Sequence, residues 1–332
     1  MLPVFLSLIR KSNFTVRMIF RKSVLIFCFV VSGGVALSQE DLLDMVDDKK
    51  DEGPKKVFAT FKTYRLGNAL TTEPVKKKHL DFRISHRFGN IYDDTKPNAI
   101  NETFQSYLGF DNASDIRTSF DYGLTDNITI GIGRSKINKM LDASVKWRFL
   151  KQTTNFSIPV SVALFADAGY VHAHTEDIYA GIVKDFETNE LHRINYVTEL
   201  IIASKLNDWI SLEILPAYIH RNFIKQNTNI NNNAEDVNGF FTIGFGGRIK
   251  LTRRMSFIGD FYYNTSPFYN NNPAYKNPLA LGFEIETGGH VFSLFFTNAS
   301  GLIENNFIPT TRDSWENGQV KFGFSISRVF AL

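Results

Sequence analysis

The sequence predicts an all-β fold: a closed antiparallel up-and-down transmembrane β-barrel of about 12 strands, with short periplasmic turns and long extracellular loops. Three observations carry this. From residue 79 onward apolar and polar side chains alternate at period two, the signature of strands with unlike faces. The connections between these runs are short and long by turns, as in a meander that closes on itself to remove its edges. After the amino-terminal leader, no segment approaches the roughly 20 consecutive apolar residues of a spanning helix.

In chain order, residues 1–38 read as a cleaved signal peptide. Arg21 and Lys22 precede an apolar run from Val24 to Val31, and the small residues Ala36 and Ser38 occupy the −3 and −1 positions before Gln39. Met18 begins a leader of ordinary length and is a candidate true start. Residues 39–56 form an acidic and then basic tail with little apolar surface to bury. Residues 57–78 look strand-like without clean alternation. A periplasmic strap, a piece inside a barrel and an extra strand all fit them.

Residues 79–332 carry twelve candidate strands: 79–87, 115–122, 128–134, 140–149, 158–170, 193–204, 209–223, 240–251, 255–264, 279–287, 290–298 and 318–330. The alternation is explicit in the first, where Leu80, Phe82, Ile84 and Phe88 oppose Asp81, Arg83, Ser85 and Arg87. It recurs in the last, where Val320, Phe322, Phe324 and Ile326 oppose Lys321, Gly323, Ser325 and Ser327. Connections after even-numbered strands are short. Those after odd-numbered strands are long and polar, except Ser135–Lys139.

Alternation alone does not say which parity meets water. A soluble, secreted ligand-binding barrel would turn its apolar parity inward; a membrane barrel turns it outward to lipid. Three features favour the membrane. The polar parity mixes charges of both signs with Gly, Ser and Thr, which suits a self-neutralising lumen. Aromatics gather at strand ends (Phe88, Tyr122, Phe149, Tyr170, Trp209, Phe223, Tyr262, Tyr263) where an interfacial girdle belongs, and the leader exports the chain. On this reading the lumen is lined by Asp81, Arg83, Asp115, Arg117, Asp142, Lys146, Arg148, Arg248, Lys250, Glu284, Glu286 and Lys321.

Charge and cysteine content exclude several functions. The chain has 37 Lys+Arg and 34 Asp+Glu, but Arg10, Lys11, Arg17, Arg21 and Lys22 belong to the leader; removing these five from 37 leaves 32 against 34. No basic excess then remains to attract nucleic acid. Cys28, the single cysteine, also lies in the leader, so a mature disulfide scaffold, thiol nucleophile or Cys-ligated metal is excluded.

Several constellations invite chemistry. His172, His174 and Glu176 would share one face of an extended strand and could ligate a transition metal; a polar rim is the plainer reading. His290, Ser293 and Asn298 invite comparison with a membrane-embedded hydrolase, but His290 and Ser293 have opposite parity. Glu284 and Glu286 share a face and could do acid–base work, although internal salt-bridge ladders account for them as well. Gly131–Gly133 and Gly244–Gly247 precede no helix and are not phosphate loops. Asn227–Asn233 reads as a polar loop tip open to carbohydrate contact.

The run TGGHVFSLFFTNA (287–299), with FRISHRFG (82–89), FDNAS (110–114), IGIGRS (130–135), HRN (220–222) and FGFSISRVF (322–330), resembles an uncharacterised β-barrel family of Bacteroidetes outer-membrane proteins over about residues 57–332. The resemblance implies a fold and an outer-membrane location but no activity, cofactor or site residues. The last strand is similar to outer-membrane assembly signals ending in an aromatic, with Phe330 displaced by Ala331 and Leu332. The partners it implies are outer-membrane lipid and the barrel-assembly machinery during insertion, with no nucleic acid. The expected role is a narrow, porin-like passive channel for a small polar solute, or a structural barrel; a membrane-embedded hydrolase and the secreted soluble barrel are the alternatives.

Overall fold

The computed structural model describes residues 54–182 and 187–332. The leader expected over 1–38, and the expected tail as far as residue 53, lie outside the described residues. Twelve strands follow in sequence order: β1 (His79–Asn90), β2 (Ala113–Gly123), β3 (Ile128–Ser135), β4 (Met140–Leu150), β5 (Ser161–Val171), β6 (Ile194–Lys205), β7 (Ile210–Arg221), β8 (Gly239–Lys250), β9 (Met255–Asn264), β10 (Leu279–Thr287), β11 (His290–Thr297) and β12 (Lys321–Ala331). Each pairs antiparallel with the next. β12 returns to β1 with Leu80 opposite Phe330 and Ser85 opposite Ser325, so the barrel is closed. Closure pairs every strand on both sides and leaves no edge to aggregate.

One mouth of the barrel carries the short connections 124–127, 151–160, 206–209, 251–254 and 288–289; the other carries 91–112, 136–139, 172–193, 222–238, 265–278 and 298–320. The two-residue turn uses Gly288 and Gly289, both at positive φ, a conformation that costs glycine little. Among the described residues, three short α-helices lie in the long connections, α1 (Ala99–Gln105), α2 (Thr175–Ile178) and α3 (Glu304–Thr310), with 3-10 turns at Ile137–Lys139 and Glu190–Arg193. Among the described residues no helix is long and apolar enough to cross a membrane.

The apolar parity faces outward. Ile132, Phe241 and Trp209 are 61%, 64% and 59% exposed, while the inward Asp81, Arg83, Ser85 and Arg87 of β1 are buried. This is the arrangement of a barrel surrounded by lipid, and the opposite of the soluble barrel weighed above. Phe149, Trp209 and Tyr263 join the outward surface, but Tyr262 does not. It is fully buried and its hydroxyl donates to Glu199 at 3.2 Å. Adjacent strand residues point to opposite faces, so Tyr262 and Tyr263 cannot both belong to a girdle.

The interior departs from a simple polar lumen. Along β5–β9 the inward row includes Ala163, Phe165, Val197, Ile201, Leu215, Ile219, Phe240 and Tyr262, all buried. They pack with Tyr64, Ala69, Leu70, Val75, Phe307 and Ile308 in one apolar cluster inside the barrel. The large Phe content is therefore divided: many rings coat the outside, whereas Phe61, Phe165, Phe240, Phe295 and Phe307 are internal.

Candidate functional site

Two segments fill the lumen, one from each mouth. The first is residues 57–78. It starts at the short-turn mouth, where Lys56 bridges to Thr153 and the Val57 amide donates to the Gln152 carbonyl at 2.9 Å. It ends there too, where Lys77 bridges to Gly123 and the Lys77 amide donates to Asp126 at 3.1 Å. Between these points it folds as a hairpin, with the Leu66 amide donating to Ala69 and the Thr71 amide to Tyr64 at 2.8 and 3.0 Å. The tip needs Gly67, because a Cβ there would come within 2.9 Å of the Asp260 carboxylate and 3.0 Å of Ala280.

The wall holds this hairpin largely by its backbone. Buried Lys146 on β4 donates from Nζ to the carbonyls of Tyr64, Thr71 and Glu73 at 3.2, 2.8 and 3.1 Å, and Nζ sits 3.2 Å from the centroid of the Tyr64 ring. An ammonium has three donors, and all three are used. Ser211 on β7 donates to the Thr60 carbonyl at 2.6 Å, and the Asn68 amide donates to Asp260 on β9 at 2.8 Å. Arg87 on β1 donates to the Asn68 side-chain oxygen at 2.6 Å and stacks over Phe295 at 4.7 Å.

The second segment comes from the 298–320 connection. α3 has Glu304, Asn305, Asn306, Phe307, Ile308 and Pro309 buried. Asp115 on β2 accepts from the Leu302 amide at 3.1 Å and from Ile137 at 3.0 Å, tying two loops to one carboxylate. Asn305 donates to Asp167 at 2.5 Å, and Phe307 meets Tyr262 edge-on with centroids 5.2 Å apart. The two segments join at a bidentate pair: Arg65 of the hairpin donates to both Glu304 oxygens at 2.6 and 3.0 Å. Beside this pair lies a cavity of about 20 Å³, lined by residues including Arg83, Arg117 and Asp121, with room for about one water.

Of the side chains expected to line the lumen, Asp81, Arg83, Asp115, Asp142, Lys146, Arg148, Glu284 and Lys321 are buried, and Arg117, Arg248, Lys250 and Glu286 are partly so. Most are bonded to one another or to the inserts. Arg83 pairs with Asp81 at 2.9 Å, Arg117 is bidentate on Asp142, Arg148 reaches Glu73 at 3.1 Å, Arg248 reaches Glu284 at 2.9 Å, and Lys321 pairs with Asp313. Glu286 meets Lys62 of the hairpin at 3.3 Å. Sequence reasoning missed Glu199, Glu213 and Asp260, carboxylates set beside the inward apolar residues Val197 and Ile201 of β6, Leu215 of β7, and Ile258 and Tyr262 of β9. Their parity was the available signal. Both Glu213 oxygens are buried without a hydrogen-bond partner among the described residues.

The remaining candidates separate. β5 ends at Val171 and Glu176 lies in α2, so His172, His174 and Glu176 do not share a strand face; the described residues hold no group of three or more such side chains placed for a metal. His290 is on the outward parity of β11, whereas Ser293 is buried inside opposite Glu284 and Ser325. Asn298 is structural, accepting from the Leu279 amide at 2.9 Å and donating to Asn277 and Asp313. The amides of Asn229, Asn231 and Asn232 are spent on the carbonyls of Phe268, Asn270, Asn271 and Pro267 in the adjacent loop.

A family model described as a membrane bound beta barrel domain (DUF5777) matches residues 61–330. No curated protein matches the chain. Among solved structures it is similar to the NanC porin in a rhombohedral crystal form, at 8% identity over 76% of this chain and 99% of that one, with a TM-score of 0.42. It is similar to the KdgM porin at 8% identity, the same coverage and a TM-score of 0.40. LpxR from Salmonella typhimurium is matched at 10% identity over 76% and 100% of the two chains, with a TM-score of 0.33.

Proposed function

This chain belongs to the family of membrane-bound β-barrel domains, and we propose that it is an outer-membrane barrel kept closed by its own chain. The observation that carries this is the apolar cluster inside the barrel, built jointly by β5–β9, the 57–78 hairpin and α3. An aqueous pore has no use for buried Leu70, Phe307 and Ile308 against Val197, Ile201 and Leu215. Their burial stabilises the filled state by roughly 1.5–3 kcal/mol for each large side chain.

The cell is of the two-membrane, Bacteroidetes type, the chain is exported through the 1–38 leader, and the short turns face the periplasm. Partners are outer-membrane lipid and the barrel-assembly machinery that handles β12 during insertion. The protein works without a cofactor and not as an enzyme, a reading supported by His290 and Ser293 lying on opposite faces of β11.

The test is reconstitution of the intact chain in planar bilayers. No discrete conductance steps are expected under symmetrical salt. Stable single-channel steps from protein with the gel mobility of a folded barrel would overturn the closed reading. They would instead support the second reading, a narrow passive channel for a small polar solute. That reading draws on one observation, the partnerless buried carboxylate of Glu213, which a hydrated lumen would solvate.

A further inference from the structure

The connection between β1 and β2 meets the outside of the barrel through an exposed apolar surface. Within it, Ile100 and Phe104 of α1 are 50% and 73% exposed, and Tyr107, just beyond the helix, is 69% exposed. Glu102 is the only charged side chain between Pro97 and Asp111. The polar residues Asn98, Asn101, Glu102 and Gln105 interleave with the apolar ones, as in a short amphipathic element.

This surface is joined to the lipid-facing coat. The Tyr107 ring lies 5.9 Å from Phe110, and Phe110 lies 4.7 Å from Phe88 and 5.8 Å from Phe322, which lies 5.7 Å from Phe296. Phe88, Phe322 and Phe296 are outward residues of β1, β12 and β11, so the loop returns along the outside of the closing seam. The contact is close at the backbone. The Gly89 amide donates to the Gly109 carbonyl at 3.0 Å, and a Cβ on Gly109 would strike the Gly89 and Asn90 carbonyls. Gly109 also sits at φ +82°, where other residues are strained.

We propose that the 97–110 segment is an interfacial lipid-binding element that seats Ile100, Phe104 and Tyr107 in the membrane leaflet at the long-loop mouth. The occupant follows from continuity. The aromatic chain runs without a break from the barrel's lipid-facing strands into the loop, and the segment carries almost no charge to keep it in water. Aromatic and aliphatic side chains on a short amphipathic helix are the composition that settles at the boundary of headgroups and acyl chains.

The experiment is spin labelling at Phe104→Cys and, separately, Tyr107→Cys, in full-length protein carrying Cys28→Ser and reconstituted in phosphatidylcholine vesicles. Ile230→Cys is the reference, since Ile230 is 78% exposed in the 222–238 loop. Heat-dependent gel mobility confirms that each variant is folded. Labels at 104 and 107 are expected to collide with dissolved oxygen several-fold more, and with a water-soluble nickel chelate several-fold less, than the label at 230. Nickel accessibility equal to that at 230 overturns the proposal. Shielding from both reagents that weakens as the lipid-to-protein ratio rises also overturns it, because a second copy of the chain would then be the cover.

Discussion

The two halves of the lumen wall follow different rules. From β12 through β1 to β4 the inward row is polar or glycine, apart from Met140 and the end of β12 at Val329 and Ala331, and its charges are largely paired as in Arg83–Asp81 and Arg117–Asp142. From β5 to β9 the middle of the inward face is a hydrophobic core of the kind a soluble protein has, interrupted by the carboxylates Asp167, Glu199, Glu213 and Asp260 and flanked by polar residues such as Asn195, Ser211, Ser256 and Asn264. The inserts meet both walls. Lys146 of the polar wall holds three carbonyls of the hairpin, Ser211 and Asp260 hold Thr60 and Asn68 from the other wall, and Ala69 and Leu70 turn to the apolar cluster, where Phe307 and Ile308 meet them from the other mouth. Recognition of backbone by Lys146 constrains the wall residue more than the hairpin sequence. Packing against β5–β9 constrains both partners.

The largest effect is expected on the polar side. Lys146→Met would leave the carbonyls of Thr71 and Glu73 unpaired, at about 1–3 kcal/mol for each, while the Tyr64 carbonyl keeps only the Thr71 amide. Urea unfolding in detergent, followed by gel mobility, would show it; a midpoint equal to the parent's would erase the distinction between the walls. On the apolar side, Phe307→Ala should cost about 3–5 kcal/mol through the cavity it opens against Tyr262. A loss below 1 kcal/mol would mean that α3 is not packed as described.

The junction between the inserts sharpens the comparison further. Arg65→Met and Glu304→Leu singly each strand a buried charge, whereas the double variant strands neither. A double-mutant cycle is expected to give a coupling of about 0.5–3 kcal/mol. A coupling of zero would show that hairpin and α3 are seated independently.

The smallest effect is at Asp93, in the 91–112 loop. Burial alone would raise its carboxyl, but hydrogen bonds from the Thr95 hydroxyl and amide and from Gln319, with the charge of Lys96, leave it below the ordinary value. A folded pKa below the unfolded one contributes stability that is present above the unfolded value and lost as pH falls through the folded one. Hydrogen exchange at the Thr95 amide should therefore stay slow from neutral pH into the ordinary carboxylate range and quicken, beyond its intrinsic pH trend, only in stronger acid. Quickening at neutral pH would contradict this.

The strands could be read from sequence because one face meets lipid and the other does not, and that contrast survives as period two from Leu80 to Phe330. The hairpin could not, since a segment surrounded by barrel wall has no exposed face; Thr60, Phe61, Thr63 and Tyr64 are all buried and the alternation disappears. α3 was hidden for a related reason. Glu304, Asn305 and Asn306 look like solvated loop residues, yet Arg65 and Asp167 replace water for the first two. The charged half of the lumen was readable residue by residue, but whether it held water or protein depended on contacts hundreds of positions apart.

Because residues 57 and 78 leave by the same mouth, the hairpin is not threaded through the barrel. It enters as a doubled strand from one side, so β12 can zip onto β1 either before or after it docks. The segment carrying α3 likewise leaves and returns by one mouth, between the paired residues Thr297 and Lys321, so it too is inserted and not threaded. The closure of the sheet thus requires neither filling to be threaded, and an intermediate missing only the hairpin would already be a closed cylinder.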